Sequence, residues 1–131
     1  MVIIDTSAWI EFFHDGELSV VERVDSCLEQ ELVGMGDLVY CEVMQGIRSA
    51  RERREIDTLF LSLPRYEMVG FEMAERAAKN YRTLRARGVT VRKTIDVLIG
   101  TFCAEHDFAL IHHDRDFDLM AKHIGLTIWQ P

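Results

Sequence analysis

With 131 residues, 48% of them apolar and 28% charged, the chain has the proportions of one soluble globular domain with a single core. A formal net charge of −7 excludes a generally basic nucleic-acid binder, and no apolar run approaches the ~20 residues of a membrane helix. Cys27, Cys41 and Cys103 are odd in number and lack C-x-x-C spacing, which reads as reduced thiols in a cytoplasmic protein.

In chain order, Val2-Ile3-Ile4 reads as a first strand. Thr6 or Ser7 then caps a short helix through Phe13, and His14-Asp15-Gly16 forms a turn. Val20, Val21, Val24 and Leu28 mark an amphipathic helix from Ser19 to Gln30, followed by a short strand from Leu32 to Met35. Asp37 is placed to cap a helix to about Ser49, and Arg51 to Leu61 makes another. Leu63 to Val69 contains a short strand, and Glu72 to Arg87 is a long helix ended by Gly88. Thr94 caps a helix, Ile95 to His106, whose apolar middle implies deep burial. A strand from Phe108 to Ile111, a helix from Asp116 to Ile124 and a final strand from Leu126 to Trp129 complete the chain. This alternation predicts an α/β fold: a doubly wound, mostly parallel, five-stranded sheet with helices on both faces, in one domain over 1–131.

Acidic residues fall where apolar runs end or helices begin. Asp5 follows the first strand, Asp96 opens the most apolar helix, and Asp114 and Asp116 follow the strand at 108–111. Glu42 lies mid-helix between Cys41 and Val43. Parallel α/β sheets build their sites at strand C-terminal ends, so these carboxylates are expected on one edge. Each has an ordinary structural reading too: Asp5 as a helix cap, Glu42 as a surface glutamate, Asp96 as a first-turn acid, and Asp114 or Asp116 as a cap. Together they would repel one another unless a cation held them. An all-oxygen set suits Mg²⁺, or Mn²⁺, better than zinc, and so suggests phosphate chemistry. His112 and His113 do not make a zinc pair, because adjacent strand residues point to opposite faces.

The negative charge is unevenly spread. Between Arg76 and Ile95 lie seven basic residues and no acid, a ridge that reads either as a solvated helix face or as a phosphate-backbone contact.

Taken together, Val2-Ile3-Ile4-Asp5-Thr6-Ser7-Ala8-Trp9-Ile10, Glu42-Val43-Met44-Gln45-Gly46-Ile47-Arg48, Thr94-Ile95-Asp96 and Asp114-Arg115-Asp116-Phe117 resemble the four acidic motifs of PIN-domain ribonucleases, in order and over the full length. The short single-domain form is similar to VapC-type toxins of bacterial toxin–antitoxin pairs. The resemblance implies a catalytic quartet of Asp5, Glu42, Asp96 and Asp114. It implies metal ligation by Asp5, Asp96, Asp114 and Asp116, with Ser7 and Thr94 supporting the ligands. Asp114 stands nearer the strand end than Asp116, and either can be the principal fourth acid. Also implied are a Mg²⁺- or Mn²⁺-dependent endoribonuclease that cuts a tRNA or rRNA loop, and a cognate VapB-like protein antitoxin. Arg82, Arg85, Arg87, Arg92 and Lys93 are expected to contact the RNA backbone.

Two other classes compete. An aspartyl-phosphate phosphatase would place a second acid two positions after Asp5, where Ser7 stands, and a receiver-like domain would pair acids where Asp5-Thr6 stands. A non-catalytic binding module of the same fold has no need of four converging charges. Trp9, Phe12, Phe13, Val20 and Val21 exceed what one face of a small sheet covers. They are therefore expected either to form core or to be buried by a homodimer or an antitoxin helix.

Overall fold

A computed structural model describes all 131 residues. Its parallel strands are β1 (Val2–Ile4), β2 (Val33–Gly36), β3 (Arg65–Tyr66) and β4 (Ala109–Ile111). They lie side by side in the order β3-β2-β1-β4. Helices α1 (Thr6–Phe13) and α2 (Leu18–Gln30) connect β1 to β2. Helices α3 (Asp37–Gln45) and α4 (Ala50–Phe60) lead to β3. From there α5 (Phe71–Ala86) and α6 (Thr94–Glu105) cross to β4, and α7 (Arg115–Ile124) follows it.

The sheet grows in one direction from β1 through β2 to β3, then in the other from β1 to β4. Because parallel crossovers are right-handed, the reversal puts the two sets of connecting helices on opposite faces. Accordingly α1 packs on α2 and α3, while α5, α6 and α7 pack on one another. Covered on both sides, β1 and β2 are buried along their whole length, which is why they read as continuous rather than alternating apolar runs.

The expected fifth strand is reduced to one bridge. Leu110 pairs with Ile128, with Leu110 N–H donating to Thr127 O and Trp129 N–H to Leu110 O, both at 2.9 Å. Gly125, at φ 72°, ends α7 in a left-handed cap and turns the chain toward this bridge. The sheet is thus four-stranded with a one-residue fringe.

Of the apolar positions on the first two helices, Trp9 and Val20 form core, while Phe12, Phe13 and Val21 are half-buried. Trp9 is fully buried, stacked on Phe13 at 5.5 Å and tilted on Phe60 of α4 at 5.0 Å, with Phe12 edge-on. Val20 is also buried, and for Trp9 the cover is supplied by Phe60 of α4 from the same chain. The most exposed large apolar side chain is Phe71 at the start of α5, 90% exposed near Val69, with Ile10 of α1 and Leu18 of α2 also open to solvent. No helix is long and apolar enough to cross a membrane.

Candidate active site

The strand order reverses between β1 and β4, and the ends of these two strands form the crevice where α/β sheets bind ligands. Asp5 sits there, its backbone N–H donating to Ile111 O at 2.8 Å. Its side chain caps α1, with Oδ2 accepting from Ser7 N–H at 3.0 Å and from the Ser7 hydroxyl at 2.6 Å. The cap occupies only Oδ2. Asp5 is 4% exposed, and its buried Oδ1 meets no hydrogen-bond donor. The structural and functional readings of Asp5 therefore hold together, one for each oxygen.

Glu42 comes from the first face of the sheet. Helix α3 packs on α1, and Thr6 donates its hydroxyl to Glu42 Oε1 at 2.9 Å. Burial raises the Glu42 carboxyl above the usual glutamate range, opposed by the Thr6 hydrogen bond and reinforced by the Asp5 charge. Asp96 comes from the other face, in the first turn of α6, and is 5% exposed. Its Oδ2 is buried without a donor, like Oδ1 of Asp5. Burial pushes its carboxyl up to about 7, and the charges of Asp5, Asp114 and Glu42 push the same way against Lys93. Acids from four separate segments thus lie within each other's fields.

Asp114 caps α7, Oδ1 accepting from Asp116 N–H at 3.0 Å, which leaves Oδ2 outside the cap. Asp116, in the first turn of α7, is the more buried of the two. Carboxylate oxygens of Asp96, Asp114 and Asp116 all lie within 4.8 Å of one another. Burying charges so close is costly unless something cationic joins them. The unpartnered oxygen of Asp96 within this trio, and that of Asp5, whose charge acts on Asp96, are what an oxygen-ligated divalent cation would satisfy, so the donor set fits such an ion.

Several contacts were not legible from sequence. The Ser7 hydroxyl also accepts His113 N–H at 2.9 Å, joining the ends of β1 and β4. His112 is buried as a brace, not a ligand: Nδ1 accepts Asp114 N–H at 3.1 Å, and Nε2 lies 3.0 Å from Asp118 Oδ1. Thr6 had only a capping role in view, yet it orients Glu42. Its position beside Asp5 was the one available signal. Thr94 is exposed and is the first residue of α6 rather than its cap, which is Lys93 without a side-chain bond. Asp37 likewise follows its cap, Gly36, and instead accepts Met68 N–H at 3.0 Å, fastening β3 to β2.

The basic ridge divides. Arg82, Arg85 and Arg87 are exposed on α5 and just past its end, and Lys93 is exposed at the start of α6. Arg92 instead turns onto the acids, Nε 3.1 Å from Asp116 Oδ2 and a terminal nitrogen 3.5 Å from Asp114 Oδ1.

Comparison with known proteins agrees with this architecture. The model of the PIN domain family matches residues 2–123. Ribonuclease VapC11 of Mycobacterium tuberculosis is 32% identical over 125 residues, covering 93% of this chain and 92% of the relative. Among solved structures, FitAcB from Neisseria gonorrhoeae superposes with a TM-score of 0.76 at 17% identity, covering 100% of this chain and 98% of that one. VapBC2 from Rickettsia felis, bound to a promoter DNA fragment, gives 0.75 at 12% identity, covering 99% of this chain and all of that one (100%). The identities to both structures carry the fold alone, whereas the match over residues 2–123 and the 32% relative carry the family. The chain belongs to the PIN-domain family and, within it, to the VapC ribonucleases.

Proposed function

We infer that this protein is a Mg²⁺-dependent endoribonuclease, with Mn²⁺ as a substitute, that acts in the cytoplasm as the toxin of a toxin–antitoxin pair. The observation that carries the chemistry is the pair of buried, donor-less oxygens, Asp96 Oδ2 within the Asp96-Asp114-Asp116 cluster and Asp5 Oδ1, whose charge acts on Asp96. A fold gains nothing by burying unpartnered carboxylates unless they are used.

Asp5, Asp96, Asp114 and Asp116 would hold the ion. When bound, it supplies positive charge at the scissile phosphate and makes a water more acidic. Glu42 stands apart from the trio, and its raised affinity for protons suits it to take the proton of the attacking water. Thr6 fixes the carboxylate in register for that task. Ser7 keeps Asp5 oriented, and His112 keeps the turn that carries Asp114. The exposed cations Arg82, Arg85, Arg87 and Lys93 flank the approach to α6 and suit an RNA backbone. A single-stranded loop of tRNA or rRNA is the substrate whose phosphates reach such a crevice.

The partner on this reading is a VapB-like antitoxin, a role supported by solved relatives that are toxin–antitoxin complexes. A homodimer is the second expected association. A surface suited to a partner, besides the exposed Ile10 and Leu18 of α1 and α2, is a groove of about 510 Å³ between α5 and α6. It is lined by Val69, Ala74, Tyr81 and Leu98 and rimmed by Arg82 and Arg85. A partner seated there would also cover the cations that RNA needs.

The deciding experiment is cleavage of structured RNA by the wild type and Asp96→Asn, with Mg²⁺ and with EDTA. Cleavage is expected only from the wild type with metal. Undiminished cleavage in EDTA overturns the metal chemistry.

A further inference from the structure

Arg92 is the one basic side chain in ion-pair contact with the proposed ligands, and its contact is built rather than casual. Val91, buried at 4% exposure, anchors the segment between α5 and α6. The next residue therefore emerges at a fixed place beside the acidic crevice. The backbone N–H of Arg92 points to Asp116 Oδ2 at 3.5 Å, and its side-chain Nε reaches the same oxygen at 3.1 Å. One guanidinium nitrogen extends to Asp114 Oδ1 at 3.5 Å. Main chain and side chain thus converge on two of the three clustered carboxylates. The side chain is 69% exposed, so it can leave without unpacking the core.

We propose that Arg92 is the built-in counter-ion of the site, a residue that occupies Asp114 and Asp116 in the metal-free chain and competes with the divalent cation for them. This rests on the metal reading above and adds a residue to it. The planar, forked guanidinium can serve two carboxylates at once, which a lysine ammonium does as a point charge only. The guanidinium thus offsets the crowding of Asp114 and Asp116 before metal arrives. The cost is a lower metal affinity, since each ion bound must displace the arginine. A purely structural ion pair predicts the reverse: without it the acids would splay and metal binding would weaken.

The test is Mn²⁺ binding to the full chain without RNA, followed by the EPR signal of the free ion, for wild type, Arg92→Gln and Arg92→Lys. Arg92→Gln is expected to bind Mn²⁺ roughly three- to tenfold more tightly, the span a partly screened ion pair supplies. Arg92→Lys, which keeps the charge, should fall between the two. A second measurement guards against misfolding: Mn²⁺ should raise the melting temperature of Arg92→Gln by more than that of the wild type. Equal or weaker Mn²⁺ binding by Arg92→Gln overturns the counter-ion while leaving the nuclease reading intact. Failure of all three chains to bind Mn²⁺ overturns both.

Discussion

The Ser7 hydroxyl donates to Asp5 Oδ2 at 2.6 Å while accepting the backbone N–H of His113 at 2.9 Å. One small side chain thereby ties the end of β1 to the turn after β4, across the point where the sheet reverses. Its loss strands His113 N–H and loosens Asp5. Ser7→Ala should cost about 1–2 kcal/mol of stability and lower RNA cleavage. Denaturant unfolding alongside cleavage rates checks both, and a fully active, equally stable Ser7→Ala would remove the tie from the mechanism.

Asp96 should be a liability to the fold in the absence of metal. Its carboxyl, pushed up to about 7, sits above its ordinary value of 3.8. The folded chain therefore keeps a proton that the unfolded chain releases, and stability in chelator falls as pH rises from about 4 to about 7. Asp96→Asn has no charge to bury. In EDTA it should melt above the wild type at about pH 8, lose that advantage near pH 4, and be inactive in cleavage throughout. A wild type whose melting temperature climbs between those pH values in EDTA would contradict the burial argument.

Thr6→Val removes the hydroxyl that holds Glu42 and keeps the shape. If Glu42 takes the proton from water, kcat should fall about tenfold with KM little changed, because a loosened base loses part of its contribution. The RNA itself should still bind. A rise in KM at constant kcat would move Thr6 and Glu42 from chemistry to binding.

Reversal of Arg82 and Arg85 to Glu should weaken RNA binding and flatten its dependence on salt by about two counterions. Filter binding across a salt series reads the slope. An unchanged slope would place the RNA elsewhere on the surface.

Phe71, 90% exposed at the start of α5, is the side chain most in want of cover. Phe71→Asp should leave the nuclease activity of the free chain intact and weaken its neutralisation by the antitoxin. Undisturbed neutralisation would turn attention from α5 to another face.

Much of the fold was legible because local pattern and tertiary position agree. Val2-Ile3-Ile4 is a buried strand in any α/β sheet, and the apolar run behind Asp96 fits only a covered helix. Asp5, Asp96 and Asp114 were legible because each stands at an element boundary. What escaped depends on partners distant in sequence. Trp9 reads the same whether an antitoxin or Phe60 covers it, and only the packing of α4 decides. Leu126 and Trp129 look like a strand, but they have only Leu110 within reach for pairing. The Thr6–Glu42 and Arg92–Asp116 bonds span 36 and 24 residues, and no local spacing encodes either.

Three helices, α1, α6 and α7, begin at the acidic crevice, with Asp5 and Asp114 as caps and Asp96 in a first turn. Each start contributes roughly half a positive charge through its aligned peptide dipoles. The backbone thus supplies about one and a half charges that no substitution can remove. With the Lys93 ammonium, which acts on Asp96 and Glu42, between two and three of the five negative charges remain, by rough count. That remainder matches one divalent ion better than two, and Mn²⁺ bound at saturation should come to about one per chain. The site is therefore already about a third neutralised by the way its helices are laid, before any side chain or ion takes part.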